Sequence, residues 1–297
     1  MAEPVRIAIL GPTAAAKSAL AVAVARHLGA TVVNGDPFQA YRDLPIGTGQ
    51  PLEPERGGVP HRGYGTLPLE AQVNPATFGA QVRQWLQDLD AAVLVTGSGL
   101  YLRGIWDQLS ELPEVPTGTT QRVRRWAELL GAPALHRFLR AVDPARADKL
   151  HRNDHSRVQR ALALHLATGL RPSQLLDGVA KGVPAGWRAL LVLPSRERQR
   201  QRVAERVRAM LGQGWAQEAA RLRAAGLEPD LRRLRPLGYE ALLDDPARAQ
   251  ARITLETQAY AKRQGTWFRN QWPELPTWDP DADSLADALR RLGLAPQ

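Results

Sequence analysis

Gly11-Pro12-Thr13-Ala14-Ala15-Ala16-Lys17-Ser18 lies between an apolar run, Val5 to Leu10, and a stretch with helical periodicity, Ser18 to Leu28. This order of strand, loop and helix is the setting of a phosphate-binding loop, in which backbone N–H groups and the positive end of the helix dipole face an anion. Lys17 is then expected on the outer phosphate oxygens, with the Ser18 hydroxyl facing Mg²⁺. The octapeptide therefore predicts a phosphate site at the first strand of an α/β fold.

Ala16 departs from the pattern G-x-x-x-x-G-K-[ST], which has its second glycine at this position. Glycine there allows the backbone to approach the phosphate and to take unusual dihedral angles. A Cβ in a left-handed conformation costs about 1–2 kcal/mol. The alternative interpretation is an Ala-rich turn from strand to helix that carries Lys17 and Ser18 incidentally.

Two further segments also consist of an apolar run, predicted as a strand, followed by a turn. The apolar run Ala30 to Val33 leads into Asp36, and the run Ala91 to Val95 leads into Thr96-Gly97-Ser98-Gly99. In a parallel sheet, ligands bind beyond the carboxyl ends of the strands. We therefore expect the phosphate loop, Asp36 and the second glycine-bearing turn to converge there, although Asp36 could instead be a turn residue before proline.

The domain prediction follows from where strand patterns stop. Residues 1–112 form the first part of an α/β core, a parallel sheet of the P-loop type flanked by helices. Residues 113–180 are an all-helical insertion rich in Arg and Leu, and residues 181–297 return to the core with a strand from Trp187 to Leu193, followed by helices. Residues 43–75 are rich in Gly and Pro and predict an extended surface connection.

The charge predicts a polyanionic partner. The 297 residues carry a net charge of +9, and lysine occurs only at Lys17, Lys149, Lys181 and Lys262, so arginine supplies nearly all of the positive charge. Arginine forks phosphate bidentately and stacks on bases. A GC-rich genome would explain the preference for arginine over lysine but not the net charge.

Composition also narrows the class of protein. With no cysteine, disulfides, thiolate catalysis and cysteine-ligated zinc are excluded. No apolar stretch approaches the roughly 18–20 residues of a membrane span, and the first residues lack the pattern of a signal peptide. We expect a cytoplasmic protein with no membrane partner.

A basic and aromatic run, Tyr260 to Arg269, suits a phosphate backbone with stackable bases. The alternative is an amphipathic helix in which Trp267 and Phe268 lie in the core and the charges are solvated.

Taken together, these segments resemble the tRNA dimethylallyltransferases, also called tRNA isopentenyltransferases, over nearly the whole chain. The octapeptide resembles the family's G-P-T-A-[SG]-G-K-[TS], N-G-D-P-F-Q-A-Y-R resembles S-x-D-S-x-Q-x-Y-R, and T-G-S-G-L-Y resembles G-G-T-G-L-Y. Leu150 to Thr168 is similar to I-H-P-N-D-x-x-R-x-x-R-A-L-E, and R-P-L-G-Y-E and K-R-Q-G-T-W-F-R are similar to two further blocks. The order and spacing of the whole set carry the resemblance.

The resemblance implies transfer of a dimethylallyl group from dimethylallyl diphosphate to N6 of an adenosine next to the anticodon, in the anticodon stem-loop of tRNA. Gly11 to Ser18 would hold the diphosphate, with Mg²⁺ at Ser18 and with Arg202 or Arg206 on the phosphates. Asp36 would be the general base. Lys17 would neutralise the leaving group, and the Ser98 hydroxyl would lie near the reacting centre.

The implied tRNA contacts are spread over several segments of the chain. They are Asp36, Pro37, Phe38, Gln39, Ser98, Arg122 (with Arg124 as the alternative), Ser156, Arg157, Val158, Gln159, Arg160, Gly238, Tyr239, Lys262, Arg263, Gln264, Trp267 and Arg269. The chain departs from the family at Ala16, at Asn34 and Pro37 in place of serines, and at Thr96 in place of a glycine. We expect an active monomer.

Other functions remain open on the sequence. A small-molecule kinase or nucleotide hydrolase could use the same loop, and a catalytically silent tRNA-binding protein would follow if Ala16 disabled the loop. Transfer to free adenine nucleotides is a further alternative, against which the helical insertion and the excess of arginine argue.

Overall fold

A six-stranded, wholly parallel sheet forms the centre of the fold. The computed structural model describes residues 3–109, 112–176 and 182–294. The strand order is β3-β2-β4-β1-β5-β6. The strands are β1 Val5–Leu10, β2 Thr31–Asn34, β3 His61–Arg62, β4 Ala91–Thr96, β5 Trp187–Val192 and β6 Thr277–Trp278. The predicted α/β class with a parallel sheet is confirmed.

The inner strands are the apolar runs of the sequence, because a parallel strand covered by helices on both faces is buried on both sides. Leu10 at the end of β1 lies beside Thr96 at the end of β4. Asn34 at the end of β2 lies beside Val95. The carboxyl ends of these three strands are therefore level, and the turns that follow them meet at one edge.

Helices make up most of the rest of the described chain. They are α1 Lys17–Leu28, α2 Pro45–Thr48, α3 Glu53–Arg56, α4 Pro75–Leu86, α5 Gly99–Ile105, α6 Thr117–Leu130, α7 Ala132–Val142, α8 Pro144–Asp148, α9 His155–Thr168, α10 Pro172–Leu176, α11 Arg196–Gly212, α12 Trp215–Ala224, α13 Glu228–Leu234, α14 Tyr239–Asp244, α15 Pro246–Gln271 and α16 Leu285–Arg291. None of the described helices is both long and apolar enough to cross a membrane.

Three apolar cores hold the part of the chain that carries the sheet. One packs α1 and α16 on one face of the sheet, and a second packs α4, α5 and the end of α15 on the other. A third lies among α11 to α15, around the buried rings of Trp215 and Tyr239. This third core builds the helical wall that faces the carboxyl edge of the sheet.

The chain divides into two compact units. One comprises Met1–Asp107 with Lys181–Gln297, and the other comprises Gln108–Ala180. The second unit contains α6 to α10 around its own core, with Leu135, Leu139 and Val158 buried in it. It begins at Gln108 rather than at residue 113, and the predicted right edge at 180 lies outside the described residues.

The prediction of an extended connection over residues 43–75 is wrong. This segment holds α2, α3 and β3, which pairs with β2 at the edge of the sheet. Each short helix has proline in its first turn and a left-handed glycine after its last residue, Gly49 and Gly57. Proline at a helix start and glycine at its end are normal capping signals. The same residue types also mark loops, which is why their abundance in this segment predicts a loop.

Candidate active site at the carboxyl edge of the sheet

A cavity of about 320 Å³ opens where β1, β2 and β4 end. It brings together the phosphate loop, Asp36 and the turn after β4, so the predicted convergence is confirmed. Its lining includes Thr13, Ala14, Lys17, Ser18, Asp36, Phe38, Gln39, Gly47, Thr48, Thr96, Gly97, Arg206, Val207, Met210, Trp215, Pro236, Leu237, Thr257, Tyr260 and Gln264.

The phosphate loop takes left-handed dihedral angles at non-glycine residues. Ala14 has φ 57°, and Ala16, which caps the N-terminus of α1, has φ 64° and ψ 21°. The position where the pattern has glycine therefore does require a left-handed backbone, and Ala16 bears the steric cost of its Cβ. Gly11 is needed for a different reason: a Cβ there would run into the backbone carbonyl of Val192.

Lys17 stands at the start of α1 with its ammonium turned back onto the loop. Its Nζ donates to the carbonyl oxygen of Pro12 at 2.7 Å. Burial, with help from the nearby Arg206 charge, lowers the pKa of Lys17 to about 7, against the opposing effect of Asp36. A phosphate bound here would favour the charged ammonium. Ser18, one residue further, is exposed and lines the cavity, as a metal-facing hydroxyl requires.

Hydrogen bonds to its carboxylate and to its own backbone hold Asp36 in place. Its carboxylate accepts from the Phe38 N–H at 3.0 Å. The buried amide of Asn34 accepts from the Asp36 N–H at 2.8 Å and donates to the Asp36 carbonyl at 2.9 Å. Burial raises the pKa of the Asp36 carboxyl, and this effect is larger than the opposing ones of the Phe38 N–H, Lys17 and Arg206. A carboxylate with a raised pKa is a better proton acceptor.

Thr96 joins the turn that carries Asp36 to the turn that carries Ser98. Its hydroxyl donates to the carbonyl oxygen of Gly35 at 2.7 Å and accepts from the Ser98 N–H at 3.0 Å. The Ser98 hydroxyl makes no capping hydrogen bond to α5, which begins at the next residue. Ser98 adjoins the cavity through Gly97, which lines it.

Arg206 and Arg202 have different surroundings in the structure. Arg206 lines the cavity, and its guanidinium packs over Gly49, where a Cβ would collide with it. Burial lowers the Arg206 pKa, with Glu55 and then Asp36 opposing. Arg202 instead pairs with Asp281 at 2.7 Å. Of the two arginines one helical turn apart, Arg206 is therefore the one that lines the cavity.

Gln264 fastens the phosphate loop to the turn after β4. Its Oε1 accepts from the Thr13 N–H at 2.9 Å, and its Nε2 donates to the Gly97 carbonyl at 2.7 Å. The side chain is 8% exposed. Gln264 is among the predicted tRNA contacts, but its side-chain amide hydrogen-bonds to protein groups through both its oxygen and its nitrogen.

A buried carboxylate supports the opposite wall of the cavity. Glu218 accepts from the N–H groups of Ile46 and Gly47 at 2.9 and 3.0 Å and from the hydroxyl of Tyr239. Gln39 reaches the same segment, since its Nε2 donates to the Thr48 and Gly49 carbonyls at 3.1 and 2.8 Å. Glu218 is not among the predicted site residues; its signal in the sequence is an acidic residue on the apolar face of α12.

Phe38 lines the cavity and Gln159 is half-buried on α9, and the other remaining predicted tRNA residues fall into two groups. The side chains of Pro37, Val158 and Tyr239 are buried, and Trp267 packs against Gly99 and Trp272, so these side chains support the fold. Gly238 has φ 94° and lies against Trp215. The exposed residues on α15 are Lys262, Arg263 and Arg269, and those of the second unit are Arg122, Ser156, Arg157 and Arg160.

The donor set for a metal is sparse. Among the described residues there is no group of three or more His, Asp or Glu side chains that could hold an ion. A Mg²⁺ ion bound through substrate phosphates and one or two protein oxygens fits such a site, because this ion keeps several of its waters. Ser18 would supply one such oxygen, because its hydroxyl lies at the start of α1 and lines the cavity.

Comparison with known proteins gives a consistent result. The family model described as IPP transferase matches residues 39–271, and the model described as isopentenyl transferase matches residues 5–64. A tRNA dimethylallyltransferase of Methylobacterium radiotolerans is 39% identical over 298 residues, which cover 97% of each chain. One of Methylorubrum extorquens (strain PA1) is 38% identical, covering 93% of this chain and 90% of the relative.

Solved structures agree with this comparison. The tRNA isopentenylpyrophosphate transferase of Bacillus halodurans matches with a TM-score of 0.68 at 26% identity, over 98% of this chain and 97% of that one. A eukaryotic dimethylallyltransferase acting on tRNA has the same fold, with a TM-score of 0.76 at 23% identity, over 97% of this chain and 78% of that one.

Proposed function

This chain belongs to the IPP transferase family, and we propose that it transfers a dimethylallyl group from dimethylallyl diphosphate to N6 of an adenosine next to the anticodon of tRNA. The observation that carries the proposal is the single cavity that joins Lys17 and Arg206 to Asp36. Cations for a diphosphate and a carboxylate for a proton are the two requirements of this reaction.

The diphosphate binds, on this proposal, at the phosphate loop. The loop N–H groups at the start of α1, the Lys17 ammonium and the Arg206 guanidinium would meet its oxygens. Mg²⁺ held by the diphosphate and the Ser18 hydroxyl would supply further positive charge to the leaving group. These groups stabilise charge that increases on the diphosphate as the carbon–oxygen bond breaks.

The dimethylallyl group needs an apolar surface next to the diphosphate. The cavity offers Val207, Met210, Trp215 and Leu237 on its helical wall. A five-carbon chain packed there excludes water from the reacting carbon, which protects a carbon centre that water could also attack.

The chemical step is a displacement at the first carbon of the dimethylallyl chain. The adenine N6 forms the new carbon–nitrogen bond, the bond from carbon to the diphosphate oxygen breaks, and diphosphate leaves with the bonding electron pair. N6 gives up one proton, and Asp36 accepts it. The raised pKa of Asp36 suits this role, and its Phe38 hydrogen bond fixes the direction of the carboxylate.

The nucleic acid is held mainly by charge. The adenine has to leave its stack to reach Asp36, so we propose base extrusion on binding. Lys262, Arg263 and Arg269 on α15, and Arg157 and Arg160 on α9, are exposed and available for backbone phosphates. These cations position the RNA, whereas the cavity selects the base.

A single-turnover assay tests the proposal. Labelled dimethylallyl diphosphate, Mg²⁺ and an unmodified tRNA transcript are mixed with wild type and with Asp36→Asn, which keeps an oxygen for the Phe38 N–H but accepts no proton. We expect label in tRNA from wild type and a rate about 10²–10⁴-fold lower from the variant, the usual contribution of a general base.

The same assay with the anticodon-adjacent adenosine replaced by guanosine should give no product. Transfer by wild type to the guanosine-containing transcript, or an Asp36→Asn rate equal to that of wild type, would contradict the proposed site of transfer or the proposed base. Unchanged tRNA binding by Asp36→Asn shows that the loss is chemical.

A further inference from the structure

A second cavity lies on the other side of α15 from the active site. It has a volume of about 350 Å³ and is formed by the residues after β5, the first turns of α11 and the middle of α15. Its lining comprises Leu193, Pro194, Arg196, Gln199, Arg200, Val203, Leu255, Gln258, Ala259, Ala261, Lys262, Gly265 and Arg269. The residues of α15 that face the active site are different ones, Thr257, Tyr260 and Gln264. We call this second cavity the α11–α15 cleft.

The charged residues that line the cleft are all cations. Four cations line it, Arg196 and Arg200 from α11 and Lys262 and Arg269 from α15, and none of the described residues in its lining is Asp or Glu. All four side chains are exposed. Four positive charges around one depression raise the local concentration of anions.

Several neighbouring arginines on the same helices form ion pairs, although others in the described part of the chain, such as Arg208 and Arg263, form none. On α11, Arg198 and Arg202 both pair with Asp281, at 3.3 and 2.7 Å. On α15, Arg252 pairs with Glu256 at 2.8 Å. Across residues 3–109, 112–176 and 182–294, no such ion pair forms at the four cleft cations. Unpaired cations from two different helices therefore meet at the cleft.

The walls of the cleft favour a phosphate attached to an organic group. Leu255 is 68% exposed at its rim, and the half-buried Leu193 and the exposed Ala259 add apolar surface. The cleft also reaches the back of the phosphate loop, where the Gln199 Nε2 donates to the Thr13 carbonyl at 3.2 Å. Arginine forks match phosphate oxygens, and the apolar wall matches a ribose or a base.

We propose that the α11–α15 cleft is a second phosphate-binding site, separate from the phosphate loop, in which Arg196 and Arg200 act with Lys262 and Arg269. Phosphate oxygens can come from two sources, the backbone of an RNA substrate or a free diphosphate. The RNA source rests on the proposed function, because it requires tRNA as a substrate.

The test uses a charge-matched pair of variants. Arg196→Gln/Arg200→Gln removes two cleft cations, and Arg208→Gln combined with Arg221→Gln removes two exposed arginines of α11 and α12 that do not line the cleft. Binding of an unmodified tRNA transcript is measured from 50 to 300 mM salt. Calorimetry with inorganic diphosphate counts the sites for the free anion. The Arg196→Gln and Arg200→Gln single variants replace the double variant if its thermal unfolding differs from that of wild type.

With RNA as the source, the slope of log K against log salt falls by about 0.7–0.9 for each phosphate that the variant no longer neutralises, and the control keeps the wild-type slope. With free diphosphate as the source, the tRNA slope is unchanged, and the number of diphosphate sites falls from two to one. Equal slopes and equal site numbers in wild type and cleft variant would overturn the proposal. So would an equal decrease of the slope in the control, since that effect belongs to net charge.

Failure of the cleft and failure of the proposed function are distinguishable. If wild type transfers label to tRNA but the cleft variants bind tRNA and diphosphate as wild type does, only the cleft assignment is wrong. If wild type neither binds tRNA nor transfers label, the proposed function is wrong, and the count of diphosphate sites still decides the cleft.

Discussion

Binding of the diphosphate should take up a proton at Lys17. Burial lowers the pKa of this residue to about 7 in the free protein, so at pH 8 only about one molecule in ten carries the ammonium. A bound diphosphate favours the charged form and raises the pKa again. Binding at pH 8 should therefore take up about 0.9 protons, and affinity should weaken about tenfold per pH unit above 7.

Isothermal titration with dimethylallyl diphosphate at constant Mg²⁺ measures this uptake directly. The apparent binding enthalpy is recorded at pH 8 in two buffers with different ionisation enthalpies, and its dependence on the buffer gives the number of protons. Lys17→Met removes the titrating group and should bind weakly with no uptake at this site. Wild-type affinity that stays constant between pH 7.5 and 9, or equal uptake by Lys17→Met, would refute the reasoning.

The same pKa shift has a consequence for the free protein. Between pH 7 and the ordinary lysine pKa of 10.5, the unfolded chain holds a proton on Lys17 that the folded chain has lost. The free energy of unfolding should therefore rise with pH through this window. Lys17→Met should flatten that rise in denaturant titrations, and this comparison isolates Lys17 from other groups that titrate there.

Three substitutions test the frame of the site. Ala16→Gly removes a Cβ whose left-handed conformation costs about 1–2 kcal/mol, but it adds unfolded-state backbone entropy that costs about 0.4–1 kcal/mol. Urea unfolding should therefore show a free energy of unfolding higher by up to about 1.5 kcal/mol. The control Ala15→Gly, at a residue that is not left-handed, should only destabilise. Thr96→Val leaves two turn groups unpaired and should cost about 1–3 kcal/mol and lower kcat more than it raises KM, while Thr96→Ser keeps both hydrogen bonds and should behave as wild type in the transfer assay. In Glu218→Gln an amide with one acceptor oxygen replaces the carboxylate that accepts from two N–H groups. Thermal unfolding should therefore show a free energy of unfolding lower by about 1–3 kcal/mol. A variant as stable as wild type would show that Glu218 does not hold the Ile46–Gly47 segment.

The sheet and the three turns at its edge could be predicted because each depends on short-range signals. A continuous apolar run such as Ala91 to Val95 indicates a buried strand. A strand followed by the loop Gly11 to Ser18 and then by a helix indicates a phosphate site. The edge strands β3 and β6 have two residues each, and no periodicity can be detected over that length. Each forms only by pairing with a neighbouring strand, and that tertiary contact cannot be read from two residues.

The location of a side chain at the cavity was predictable where residue type and a nearby strand end identify it. Asp36 and Lys17 are identified by residue type and position after a strand. Arg202 and Arg206 lie on one face of α11, and the choice between them depends on Asp281, which approaches from a distant part of the chain. The family resemblance implies that Gln264 contacts tRNA, but its hydrogen-bond partners Thr13 and Gly97 come from segments far away in sequence.

Three of the positions where this chain departs from the family pattern, Ala16, Asn34 and Thr96, lie in one hydrogen-bonded frame. Asn34 holds the backbone of Asp36 on both sides, and Thr96 ties the Gly35 carbonyl to the Ser98 N–H. Ala16 lies in the loop whose Thr13 N–H is held by Gln264. A strained left-handed residue persists when its surroundings over-determine it. The frame therefore explains how the loop keeps its conformation with alanine in place of glycine, and it predicts that Ala16→Gly should restore more stability when Gln264 is also replaced than in the wild-type frame.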